Sequence, residues 1–145
     1  MGNIDTYESL ISAIYTTLTG DNELATLMGG QVRCFLVFAS PDTEFPYLVH
    51  RIDIAPQEFF PMRQATYYLD LWSYQPKADE ILNIRKRIIE LLDELSFDTD
   101  EVSATRLWLQ TDGFIPEVEQ NIWHYATQWN LRYYRKAETL SIISR

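Results

Sequence analysis

Apolar residues near the start of the chain recur at helical spacing. Tyr7, Leu10, Ile11, Ile14 and Leu18 share one face of a helix predicted over residues 5–18, and Asp5 followed by Glu8 resembles a capping box at its entry. Gly20 stops it. Residues 21–28 read as a short second helix with Leu24, Leu27 and Met28 apolar, closed by Gly29 and Gly30. From Val32 to Phe38 the pattern changes to a compact apolar run rich in β-formers, which predicts a strand. The prolines of the stretch from Ser40 to Pro46 then make it a loop.

Period-2 alternation follows. Tyr47 to Ala55 predicts a strand with Leu48, Ile52 and Ile54 on one face and Tyr47, Val49, Arg51 and Asp53 on the other. After a connector from Pro56 to Gln64, residues 65–75 set Tyr67, Leu69 and Leu71 against Tyr68, Asp70, Trp72 and Tyr74. Pro76 ends that strand and opens the longest element. A helix is predicted from Lys77 to Leu95, with Ala78, Ile81, Ile84, Ile88, Leu91, Leu92 and Leu95 forming its apolar stripe. Residues 96–101 read as an acidic turn. Val102 to Gln110 resumes alternation, Leu107 and Leu109 opposite Arg106 and Trp108, and Gly113 and Pro116 are expected to break the chain. The last strand alternates most cleanly. Trp123, Tyr125, Thr127, Trp129, Leu131 and Tyr133 face one way, with His124, Ala126, Gln128, Asn130, Arg132 and Tyr134 facing the other.

This order predicts an α+β fold: an antiparallel or mixed sheet of about four to five strands, with the N-terminal helix and the long helix packed on one face. The other sheet face is expected to stay open to water or to a partner. The 145 residues fit a single domain spanning 1–145, with a short C-terminal tail, 136–145. Aromatic residues make up 14% of the chain, which favours β-structure and large contact surfaces.

Twelve basic and twenty-one acidic residues give a net charge of −9, so the positive footprint of a phosphate-neutralising protein is missing. Docking on an anionic membrane is disfavoured for the same reason. No apolar run reaches the roughly 18 residues of a membrane span. The start, MGNIDTYESL, lacks a basic-then-apolar signal, so synthesis in the cytoplasm is expected.

Residues that carry chemistry are few. Cys34 has no disulfide partner and sits in the apolar run VRCFLVF, where a buried, inert thiol is expected. His50 lies in the apolar register of its strand and reads as a hydrogen-bonded structural histidine, while His124 falls on the polar side. HExxH, CxxC and GxSxG patterns do not occur, so no catalytic residue, cofactor or metal is expected. Gly29-Gly30 lacks the following Lys-Ser or Lys-Thr of a phosphate cradle, and Arg85-Lys86-Arg87 reads as a solvated helix face. The connector is more telling. It places Phe59, Phe60 and Met62 between two strands where a few polar residues suffice, and Leu140, Ile142 and Ile143 make the tail apolar. Phe59, Phe60 and Met62 are expected either to fold back on the subunit's own core or to contact another subunit, and the tail residues to dock on another surface.

The helix with its Gly-Gly stop, the segment FPYLVHRID at Phe45 to Asp53, a strand ending in LDLWSY, the long helix and the closing strand WHYATQWNLRYY have a family look. Across residues 4–135 this order resembles the tail terminator proteins of long-tailed bacteriophages, also called tail completion or tail-to-head joining proteins. The resemblance implies a structural virion subunit with no active site that closes into a ring, usually a hexamer, on the last ring of the tail tube protein. It implies that the ring's upper surface receives the head-completion protein of the neck, and that DNA only passes through the lumen. The connector at Phe59-Phe60 is longer than the family's minimal version, and the apolar tail has no counterpart. Two other readings stay open at this point: another neck or tail-tube subunit of the same particle, or a small α+β ligand-binding domain or enzyme with Tyr68, Trp72, Tyr74 and Trp108 lining a pocket.

Overall fold

A computed structural model describes residues 6–56 and 61–136. The chain runs α1 (Thr6–Thr19), α2 (Asn22–Leu27), β1 (Cys34–Leu36), β2 (Tyr47–Ile54), β3 (Met62–Tyr74), α3 (Asp79–Leu92), β4 (Leu95–Phe97), β5 (Val102–Ile115) and β6 (Ile122–Arg135). The strands form one six-stranded sheet in the order β1-β2-β3-β6-β5-β4. β1 is parallel to β2 and all other neighbours are antiparallel. The α+β class and the mixed sheet are as expected, with one strand more than the sequence predicts.

The core lies between the helices and one face of the sheet. Leu10, Ile11, Ile14 and Leu18 of α1 and Ile81, Ile84, Ile88 and Leu92 of α3 bury against Tyr67, Leu69, Leu71, Trp129, Leu131 and Tyr133. These are the positions that the 3.6 and 2.0 periods select. α2 is tied in electrostatically: the Asp21 carboxylate accepts the Leu24 N–H as an N-cap at 2.8 Å and takes the Arg87 guanidinium at 2.7 and 2.9 Å. The Arg87 hydrogen bond holds the Asp21 carboxyl below its usual range. Arg85 binds Asp112 at 2.7 Å, so two of the three basic residues expected on a solvated face instead tie α3 to its neighbours.

Several further expectations are corrected. The long helix stops at Leu92, because Asp93 turns extended and Glu94 takes a left-handed φ of 63°. Leu95, expected at the end of the stripe, therefore opens β4, and the supposed acidic turn begins with an edge strand. β3 starts at Met62, three residues before the predicted Ala65. Gly113 does not break the chain, since β5 runs through it to Ile115. Ile54, grouped with Leu48 and Ile52, is 43% exposed at the last position of β2.

A candidate assembly surface

The face of the sheet away from the helices is ordered in transverse rows by its register. Tyr47, Trp72, His124 and Ile115 are successive partners across β2, β3, β6 and β5; the next rows are Val49, Asp70, Ala126, Gly113, and then Arg51, Tyr68, Gln128, Thr111. The first row forms a continuous aromatic ridge. Tyr47 stacks on Trp72 at 6.1 Å, and Trp72 stacks on the His124 ring at 3.8 Å. Phe45 extends the ridge by packing on Tyr47 at 5.2 Å. His124 Nε2 is 2.8 Å from Asp70 Oδ2, and its Nδ1 lies 3.8 Å from Glu117 Oε1. Burial, followed by the Glu117 charge, pushes the Tyr47 hydroxyl pKa upward.

Small side chains in the second row leave an open trough of about 490 Å³ between the ridge and the third row, with Val37 at one end and Thr111–Ile115 at the other. Beyond the ridge, Arg51 covers the Tyr68 ring at 3.9 Å. The four aromatic residues grouped as a possible pocket do not converge on one: Trp72 belongs to the ridge, Tyr74 packs on Phe45 at the ridge's end at 5.7 Å, Tyr68 lines the trough, and Trp108 lines a separate groove beside Arg132 and Asn130.

A β-bulge shapes the far end. Leu109 pairs with Trp129 and Thr111 with Gln128, so Gln110 is the extra residue and the side-chain parity of β5 reverses after it. Asp112 and Phe114 thereby turn to the helix side. There Asp112 accepts hydrogen bonds from Arg85 Nε and the Tyr125 hydroxyl, while Phe114 packs edge-on against Tyr125 at 4.8 Å. Burial alone raises the Asp112 carboxyl pKa, but the Tyr125 and Arg85 bonds outweigh it and hold the group below its usual range. Among the described residues, exposed apolar side chains form two groups of three. Leu36, Val37 and Phe38 lie at and just after the end of β1, and Phe114, Ile115 and Val118 surround the turn between β5 and β6.

These are not the residues singled out from the sequence. Met62 is the first residue of β3, paired with Tyr134 and half-buried, and so is part of the sheet. Phe59, Phe60, Leu140, Ile142 and Ile143 lie outside the described residues. The sequence signal for the two exposed sites is weak, because LVF continues a strand-like run and GFIP reads as a break.

The family model for "Tail completion protein gp17" matches residues 12–134, from within α1 almost to the end of β6. The chain belongs to this family. A solved structure described as "Virion of native gene transfer agent (GTA) particle" matches 90% of this chain and 98% of its own, with a TM-score of 0.72 at 14% identity, a likeness of fold. No curated protein sequence matches the chain. As a tail completion protein it is a structural component of the phage tail and belongs to the virion.

The residues first weighed for chemistry have structural roles in this tail completion protein. His50 is buried with Nδ1 2.8 Å from the Tyr67 hydroxyl, and burial lowers its pKa to about 4. The buried Cys34 thiol is pushed up to about 12 and stays protonated. Among the described residues no cluster of three or more His, Cys, Asp or Glu is placed to hold a metal ion. Among them, too, no helix is long and apolar enough to cross a membrane.

Proposed function

We propose that this tail completion protein closes into a homo-oligomeric ring, a hexamer, at the head-proximal end of the tail. The ring caps the polymerised tail tube and presents the docking surface for the head-completion protein of the neck. The family match across residues 12–134 carries this reading, since it spans nearly the whole folded unit. Two separated apolar surfaces on one subunit also suit head-to-tail contacts, which build closed rings when the rotation between copies closes.

The protein is made in the host cytoplasm and works without cofactor or metal. Its DNA contact is passage: a subunit of net charge −9 repels phosphates and does not retain the genome in the lumen. The connector residues Phe59 and Phe60, with Met62 beside them, and the tail residues Leu140, Ile142 and Ile143 contribute to contacts with neighbouring subunits or the tail tube. Covering a Phe or Met side chain is worth about 1.5–3 kcal/mol, and a ring repeats each contact. A Phe59→Ser, Phe60→Ser variant checked for folding by circular dichroism is expected to lose rings in mass measurements and to join fewer heads to tails. Wild-type behaviour from a folded variant removes the connector from the interface. A wild-type protein that forms no ring, in solution or on tails, overturns the proposal itself.

A further inference from the structure

The sheet has two edges, and most of their overhangs are protected. β1 and β4 are each three residues long, which is one way proteins blunt an edge. Beyond β1, the Ile52 N–H of β2 donates to the Tyr7 hydroxyl at 3.0 Å. Beside β4, the Ala104 N–H donates to Asp98 Oδ1 at 3.0 Å and the Leu109 N–H to Asp93 Oδ1 at 3.0 Å. The end of β5 differs. β4 pairs only with Thr105–Leu107, and among the described residues no strand lies on the outer side of Thr111–Ile115. Phe114 and Ile115, 45% and 42% exposed, sit on this open stretch.

The opposite edge is complementary by face. Leu36 shares the helix-side parity of buried Cys34, whereas Phe35 packs on Tyr47 of the open face and Val37 lines the trough. Between α1 and β1 runs a groove of about 310 Å³ walled by Ile11, Tyr15 and Leu36, of which Tyr15 and Leu36 are about half exposed. Phe114 stands on the helix side and Ile115 on the open side, by the same register. If the two edges are set side by side with the faces of their sheets continuous, Phe114 meets the groove and Ile115 meets Val37. Charge permits this contact. The one charged residue of the β5 stretch, Asp112, is tied to Arg85 and Tyr125 of its own chain, and no charged residue occurs from Cys34 to Pro41, from Ser9 to Gly20 or from Gly113 to Pro116, so two copies of a strongly acidic chain approach there without an unpaired carboxylate between them.

We infer that the Thr111–Ile115 edge of β5 pairs with the β1 edge of a second copy of this chain, with Phe114 seated in that copy's groove between α1 and β1. The inference rests on the ring reading above and names the contact that builds the ring. The two surfaces lie at opposite edges of one sheet, so each subunit offers one of each and the contact is heterologous. A β5-to-β5 contact ends at a dimer and leaves the groove uncovered.

The test uses two lesions in the full chain, Phe114→Glu on one edge and Tyr15→Glu in the groove, each checked for folding by its thermal midpoint. Each variant alone is expected to be monomeric where wild type forms rings. Mixed one to one, they should give a species of twice the subunit mass and nothing larger, because one intact edge and one intact groove remain. An independent arm combines Val37→Cys with Ile115→Cys in a Cys34→Ser background. Oxidation of assembled tails should then give a ladder of linked subunits that either substitution alone does not give. Rings from both glutamate variants, or wild-type rings with no ladder, overturn this contact and leave the ring reading standing. Linked dimers from the variant that carries Ile115→Cys without Val37→Cys overturn it in favour of β5 pairing with β5. Absence of any wild-type ring, in solution or on tails, removes the ring reading and this inference with it.

Discussion

Ile88→Ala is expected to lower the unfolding free energy by about 2–5 kcal/mol, the cost of deleting methyl groups from a site that cannot collapse around the cavity left behind. Ile88 is fully buried in the middle of α3, between Ile84 and Leu92 of the same stripe, and the helix spans β3 and β5 through that stripe. A domain holds only about 5–15 kcal/mol in total, so this one side chain decides a large share of the folded population. Ile54→Ala is the control, since the side chain is 43% exposed at the end of β2, and its cost should stay within about 0.5 kcal/mol. Urea titrations of both variants check the pair. A loss below about half a kcal/mol for Ile88→Ala places the stripe outside the core.

Acidification from pH 6.5 to 4 should cost the fold roughly 3 kcal/mol through His50 alone. The buried imidazole titrates at about 4 in the folded protein against 6.5 in the unfolded chain, because burial opposes the charged form. Within that window the unfolded chain takes up a proton that the folded chain refuses. The stabilisation is therefore complete above pH 6.5 and lost as pH falls to 4. The ring meets the Tyr67 hydroxyl at 2.8 Å and the Tyr15 ring at 6.2 Å, and neither is a carboxylate that would stabilise an imidazolium. Asp21 and Asp112, whose carboxyls are held below 3.8, lose their contributions at still lower pH. Unfolding free energies of wild type and His50→Gln across pH 4–7.5 separate the effects. The difference between the two proteins should shrink through the window, and a constant difference shows that His50 does not carry the slope.

The parts of the fold legible in the sequence are those set by a long, uninterrupted period. α1, α3, β2, β3 and β6 each repeat one pattern over several turns or pleats, and their buried faces match it. Where the period is short or reset, the sequence misleads. β4 is a three-residue edge strand that follows the left-handed turn at Glu94, and SFDTDE carries the residues of a loop. β5 hides its length because the bulge at Gln110 moves Asp112 and Phe114 onto the face that Leu107 and Leu109 occupy before it. A reader of the alternation sees a break at Gly113 where the strand continues. The same reset conceals the exposed pair Phe114 and Ile115, while Leu36 to Phe38 looks like core because nothing in that run marks the strand as an edge. His50 is legible as structural from its register, but the stacking of Trp72 on His124 depends on which strands are neighbours, which alternation does not encode.

Electron microscopy of particles assembled without this protein tests its place in the tail most directly. Tails of abnormal length, or tails separated from filled heads, are the expected result, with both restored when the purified protein is added during assembly. Normal tails joined to heads in its absence would contradict the account.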